Sequence, residues 1–364
     1  MIQNPAIEDI FALLDRLIAT PSLSGDEAGT ADELSAFLRA YGVEPYRLHN
    51  NVWAVSEGYD VAKPTLLLNS HHDTVRPAVG YTLDPFTSLH RDGRIYGLGS
   101  NDAGGSVVTL AALFLHHRDT SQLPFNLVLA LTAEEETMGA RGMRAMLEEF
   151  SMRNIAISMA LVGEPTGMQP AIGERGLVVL DCTAYGRSGH AARAEGENAL
   201  YKALDDIATL RKYRFERTSE VLGDIKISVT QIEAGSQHNI IPAECRFVVD
   251  VRTTDAYSNE EVVALLQSAV GAELRPRSTR IRASAIATSH PLVEAAVRSG
   301  GECFISPTTS DRALMSGIAA LKIGVGRSER SHTADEYVEE REIIEGLERY
   351  EVLLAELATL LNNK

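Results

Sequence analysis

Basic charge is in short supply: 34 lysines and arginines stand against 50 aspartates and glutamates, for a formal net charge of −16. Binding to a phosphate backbone needs a surplus of cations, so nucleic acid is not an expected partner. An anionic small substrate stays possible, because it senses only the field of its own pocket. Long apolar runs are also missing. None approaches the ~20 residues that span a bilayer, and the N-terminus lacks a basic stretch followed by an apolar signal core. The expectation is a cytoplasmic protein with no membrane partner. Cysteine is scarce: Cys182, Cys245 and Cys303 are odd in number and far apart, against both a disulfide framework and a cysteine-rich zinc site. No G-x-S-x-G elbow occurs, which weakens a serine-hydrolase reading. GLGSNDAGG from Gly97 fails the dinucleotide fingerprint, since Asp102 stands where its third glycine belongs. No internal repeat or low-complexity tract is visible.

What is present is a globular composition, 45% hydrophobic and 23% charged, in a chain of 364 residues. That length favours two domains. Apolar spacing predicts helices over 6–18 and 28–41. Strands are expected at 52–55, 65–69, 126–132 and 155–162, with helical runs at 104–117 and 139–150 between them. Such alternation argues for an α/β sheet with crossover helices. From about Gly176 the rhythm changes to strand 177–185, helix 196–213, strands 224–232 and 243–251, helix 258–270 and strand 278–285. That order, β-α-β-β-α-β, is the ferredoxin-like pattern. A helix near 291–300, a strand at 319–324 and a helix at 340–361 then resume the first pattern. The smaller domain, 176–286, therefore reads as an insertion into a discontinuous one formed by 1–175 and 287–364.

Five short clusters carry the chemistry: HHD at His71–Asp73, ND at Asn101 and Asp102, EEE at Glu134–Glu136, GEP at Gly163–Pro165, and SHTADE from Ser331. In an open α/β sheet, loops at the carboxyl ends of strands converge on one crevice. A crevice holding two histidines and several carboxylates needs cations. His71 and Asp73 lie two apart just past a strand, so they point the same way. A metal-bound imidazole usually gives its other N–H to a carboxylate, a role open to Asp73; a polar turn is the plainer explanation. His72 points elsewhere and reads as a packing or surface residue. Asp102 could cap the following helix or bridge two metals. Of the three glutamates, one can ligate a metal while the next reaches water as a general base; the alternative is an exposed helix start. Glu164 before Pro165, and His332 near the C-terminus, are weak signals when taken singly.

Together, SHHDTV, GLGSNDAGG, TAEEETMG, VGEPT and SHTADEY resemble the M20 family of metallopeptidases and amidohydrolases over nearly the whole chain. Within it the chain is most similar to acetylornithine deacetylase and related N-acyl-ornithine and N-acyl-citrulline deacylases. The resemblance implies a zinc-aminopeptidase-like α/β catalytic domain with an inserted ferredoxin-like α+β lid that also dimerises. It implies two divalent ions, zinc or cobalt: His71 and Glu164 on one, Glu136 and His332 on the other, Asp102 bridging. Asp73 would orient His71, and Glu135 would be the general base. The family commonly has Asp-Glu-Glu where Glu134–Glu136 stand. GRSGHAAR resembles the lid motif, whose His190 would stabilise the oxyanion in the opposite subunit of a homodimer. Asn239 in QHNIIPAE, Arg252 in VDVR, and Thr309 and Ser310 in TTSDRA would hold the substrate. The activity implied is deacylation of an N-acetyl or N-succinyl ornithine or citrulline, in arginine biosynthesis. Succinyl-diaminopimelate desuccinylase, an aminoacylase or a dipeptidase would share the same metal site. A non-catalytic relative would be expected to lack a ligand or the base. A merely metal-stabilised protein would not need Glu135 beside a ligand.

Overall fold

The structure, a computed structural model, describes residues 4–193 and 195–363. They form two compact units. The first runs to Ile172 and includes Ile286–Phe304 and the chain from Ser310; the second comprises Gly173–Ala285 and Ile305–Thr309.

The first unit is built on a mixed sheet in which Tyr46–Leu48, Asn51–Val55, Asn126–Thr132, Thr65–His71, Met159–Val162 and Ala319–Lys322 are successive neighbours. Thr65–His71 runs parallel to both Asn126–Thr132 and Met159–Val162, and Ala319–Lys322 is parallel to the latter. Every residue of Thr65–His71 and Asn126–Thr132 is buried. This is why both read as continuous apolar runs: parallel strands are covered on both faces. The helix Met143–Met152 packs Met143, Met146 and Phe150 on Trp53, Leu67, Val128 and Ala160. Deleting a ring like that of Phe150 costs about 3–5 kcal/mol. The helix Gly105–His116 is buried from Gly105 to Leu115, which accounts for its nearly unbroken apolar sequence. The long helix Glu340–Asn362 buries Ile343, Gly346, Tyr350, Leu353, Leu354 and Leu357, a single stripe at helical spacing.

The second unit is an antiparallel sheet ordered Lys226–Ala234, Glu244–Thr253, Gly176–Tyr185, Glu273–Pro276. Val178, Leu180, Cys182 and Ala184 lie directly opposite Val251, Val249, Phe247 and Cys245, and together they fill a core under the helices Ala199–Lys212 and Asn259–Ala269. A capping box starts the second helix: Ser258 Oγ accepts from Glu261 N–H and Glu261 accepts from Ser258 N–H. The order β-α-β-β-α-β holds, but its last strand is Glu273–Pro276 and not 278–285. Leu274 faces the core from this edge position while Pro276 ends the pairing. Of the later segment, Ser284–Ala285 pairs with Gly173–Glu174, and Ile281 makes a single bridge to Leu177. The predicted helix 139–150 starts late, at Met143, because residues 134–142 form a loop with positive φ at Glu134 and Met138. The 155–162 strand begins at Met159. No described helix is long and apolar enough to cross a membrane.

Candidate active site

Parallel strands deliver the first residues. His71 is the last residue of its strand and is buried. Its Nδ1 lies 3.1 Å from the main-chain oxygen of Asp73 and 3.4 Å from Asp73 Oδ1. Both are acceptors, so Nδ1 carries a hydrogen, and Nε2 is the nitrogen that faces the site. Asp73, wholly buried, is itself held on three sides. It accepts from Ser24 Oγ at 2.7 Å, from Glu135 N–H at 3.0 Å and from Glu136 N–H at 3.1 Å. One carboxylate thus fastens the end of one strand to the loop that follows its neighbour, Asn126–Thr132.

The three adjacent glutamates separate. Glu134, with φ at 57°, turns away to accept from Arg141 Nε at 2.7 Å and from its backbone N–H at 3.0 Å. Glu135 is buried with Oε2 3.9 Å from His71 Nε2. Glu136 lies 3.0 Å from His332 Nε2. Glu164, just past Met159–Val162, comes within 3.7 Å of His71 Nε2. Asp102 sits in the turn Ser100–Gly104 rather than at a simple helix cap, and its two oxygens diverge. Oδ1 is 3.3 Å from His71 Nε2, and Oδ2 is 3.6 Å from His332 Nε2. Two sets of donor atoms are each close enough to hold an ion: His71, Asp102 and Glu136, and His71, Glu135 and Glu164. Both sets claim His71, which has only one ring nitrogen facing the site. The divergent oxygens of Asp102 give the better division, with one histidine on either side.

The electrostatics call for cations. Burial opposes protonation of His71, but Glu135, Asp102, Asp73 and Glu164 outweigh it and raise its pKa well above the ordinary value. Burial pushes the Glu135 carboxyl well above its usual range; His71 opposes this, while Glu164, Asp311 and Glu136 add to it. His332 is raised to about 9, first by its hydrogen bond to Glu136, with burial opposing. Glu336, buried against Asp102, is pushed up to about 8 despite three N–H donors. Buried carboxylates around two imidazoles demand protons or metal ions, and the mixed nitrogen and oxygen donors suit divalent ions.

The remaining candidates belong to other segments of the chain. His190 and Asn239 are brought together in the second unit, where His190 pairs with Ile240 and Ala191 N–H donates to the Asn239 carbonyl at 3.0 Å. Both are exposed. Arg252, on Glu244–Thr253, is held by Asp250 through bonds of 2.8 and 3.1 Å. Thr309 belongs to the second unit and the buried Ser310 to the first. Arg175 donates to the carbonyls of Leu222 and Asp224, a structural task. His72 is buried: its Nε2 donates to Asn50 O at 3.1 Å, which leaves Nδ1 to accept from Thr30 Oγ1 at 2.9 Å. His116 and His117 both bind Glu351. Sequence reasoning gave no role to Ser24, Asn101, Asp311 or Glu336. The buried Asp311 accepts from Thr132 Oγ1 at 2.7 Å. Asn101 and Glu336 stood inside quoted motifs, whereas nothing around Ser24 marked it.

Residues 67–356 match peptidase family M20/M25/M40. The chain is 29% identical to the succinyl-diaminopimelate desuccinylase of Paracoccus denitrificans over 280 residues, 73% of either chain. It is 32% identical to that of Stenotrophomonas maltophilia over 279 residues, 70% of this chain and 73% of the other. In structure it resembles an aminopeptidase PepT from Bacillus cereus, with a TM-score of 0.76 at 19% identity, covering 97% of this chain and 99% of that one. It also resembles a dinuclear metal binding peptidase from Bacillus subtilis, with a TM-score of 0.69 at 18% identity, covering 98% and 99%. The α/β fold with an inserted ferredoxin-like unit, expected from the sequence, is the one observed.

Proposed function

The chain belongs to peptidase family M20/M25/M40, and from that premise we propose that it hydrolyses the amide bond of an N-acylated amino acid with two divalent metal ions. The observation that carries this reading is the pair of Asp102 oxygens, 3.3 Å from His71 on one side and 3.6 Å from His332 on the other. His71, Glu164 and one Asp102 oxygen would hold one ion. His332, Glu136 and the other Asp102 oxygen would hold the second. Zinc is the first choice and cobalt the next. Such ions, when bound, acidify water and polarise a carbonyl.

The protein's own groups do the rest. Asp73 fixes the His71 ring and the backbone of Glu135 and Glu136. Glu135, whose pKa burial raises, takes a proton from the attacking water as the C–O bond forms. It then gives that proton to the amide nitrogen as the C–N bond breaks, because an amine departs poorly as an anion. The products are a carboxylate and an amino acid with a free amine. His190 of a second protomer donates a hydrogen bond to the carbonyl oxygen as it gains negative charge, which makes a homodimer the working unit. Asn239, Arg252, Thr309 and Ser310 hold the substrate.

The relatives named succinyl-diaminopimelate desuccinylase support N-succinyl-diaminopimelate as the substrate ahead of the acetylated or succinylated ornithine and citrulline suggested by the motifs. At 26–32% identity they support the reaction class more firmly than the amino acid. The test is free-amine release by metal-loaded protein from N-succinyl-diaminopimelate and from the N-acetyl and N-succinyl derivatives of ornithine and citrulline, with and without chelator. Chelator-sensitive release from the first is expected. Release only from an ornithine or citrulline derivative would move the substrate; no release from any would overturn the reading.

A further inference from the structure

The two halves of the candidate metal site are supported very differently. His71 and Glu164 end or directly follow buried parallel strands, so the sheet sets their positions. His332 sits in an irregular loop with φ at 57° and a half-exposed side chain. Asp102 lies in a turn that is likewise outside the sheet. Something other than regular structure must fix the distance between them.

Two buried side chains, neither directed at the donor atoms, join these segments from both sides. Glu336, four residues past His332, accepts from three successive-turn amides: Gly99 N–H at 3.1 Å, Asn101 N–H at 2.9 Å and Asp102 N–H at 2.8 Å. In the opposite direction, Asn101 reaches the loop that leads to His332. Its Oδ1 accepts from Arg327 N–H at 2.8 Å, and its Nδ2 donates to the Arg327 carbonyl at 3.1 Å. A weaker contact of 3.4 Å joins Nδ2 to Ser331 Oγ. The approach is tight enough that a Cβ on Gly326, where φ is 90°, would lie 2.5 Å from Asn101 Oδ1.

We propose that Glu336 and Asn101 are positioning residues forming a two-way clamp, and that this clamp sets the spacing between Asp102 and His332 and so chiefly the affinity for the second ion. The inference rests on the two-ion reading given above. The first ion shares an Asp102 oxygen but is otherwise held by sheet-anchored His71 and Glu164, so it is the less sensitive of the two to the clamp. The second depends on the hydrogen bonds that Glu336 and Asn101 make between two loops.

The experiment is a cobalt titration of the metal-free full-length chain, followed by visible absorption and by bound equivalents in equilibrium dialysis. Glu336→Gln and Asn101→Ala are compared with the unaltered chain. In both variants the first equivalent should bind within about threefold of the unaltered chain, while the second weakens by about 10–100-fold, the usual effect of losing an outer-shell partner. Excess cobalt should then restore amine release. A second equivalent bound within about twofold of the unaltered chain overturns the clamp, and so does equal weakening of both equivalents, which marks general loosening. If Glu336→Gln does not fold, Asn101→Ala, in the other loop, carries the test. An unaltered chain that takes up no second ion overturns the two-ion reading itself, and the clamp with it.

Discussion

Replacing Ser24 by alanine takes one donor from a buried carboxylate. Asp73 is wholly buried, and its two oxygens are served by Ser24 Oγ, by the Glu135 and Glu136 amides, and more loosely by the His71 ring. A hydrogen bond to a charged group contributes about 1.5–3 kcal/mol. Ser24 itself is partly exposed, so water can recover some of that, and a loss of about 1.5–2 kcal/mol is the reasoned figure. In a unit of this size each kcal/mol shifts the melting temperature by roughly 2–4 °C, which gives a drop of about 3–8 °C. Turnover should fall by less than about tenfold, because the two amides and the ring still hold Asp73. Asp73→Ala, which frees His71, Glu135 and Glu136 at once, should cost more than about a hundredfold. The assays are scanning calorimetry and amine release, with Ser24→Thr as the variant that keeps the hydroxyl. A Ser24→Ala protein that melts within about 1 °C of the unaltered chain would refute the reasoning.

Other consequences are as direct. A Cβ on Gly324 would lie 2.5 Å from the Glu164 carbonyl oxygen and 2.7 Å from its nitrogen; Gly324→Ala should therefore displace Glu164 and weaken binding of the first ion in a metal titration. His90 bridges Asp15 and Glu340 at 2.9 Å each; partial burial opposes its protonation, but these carboxylates outweigh it and raise its pKa. Its contribution to stability is then fully present below the unfolded value of about 6.5 and lost as pH rises through the higher folded value, so His90→Gln should lower the melting temperature more at about pH 5.5 than at about pH 9. For the shared site, mixing His190→Ala with Glu135→Gln protein should restore amine release through heterodimers. No recovery after confirmed subunit exchange would count against His190 acting across subunits.

The strands that build the site were legible because burial on both faces writes a plain signature. TLLLNSH and NLVLALT could hardly be anything but central strands, and the clusters at their ends mark the crevice. The alternation of Cys245, Phe247 and Val249 revealed the one-sided sheet of the second unit equally well. What was not legible depends on partners far away in sequence. Nothing in SLSG shows that Ser24 reaches Asp73, 49 residues on. Glu336 and Asn101 look like ordinary members of their motifs until a fold brings residues 99–102 against 327–336. The division of Glu134 from Glu135 and Glu136 likewise depends on Arg141 and on one positive φ. The final strand of the second unit was misplaced because a short edge strand such as ELRP is too brief to outweigh the longer run after it.

The most direct test of the account is to measure bound metal and amine release together in the unaltered chain and in Glu135→Gln. Two ions per chain should be retained in both, because Glu135 is assigned to the proton and not to a metal. Amine release from the preferred N-acyl amino acid should fall by about 10²–10⁴-fold in the variant. A Glu135→Gln protein that keeps its metals and turns over at close to the normal rate would contradict the assignment of the base, and with it the mechanism.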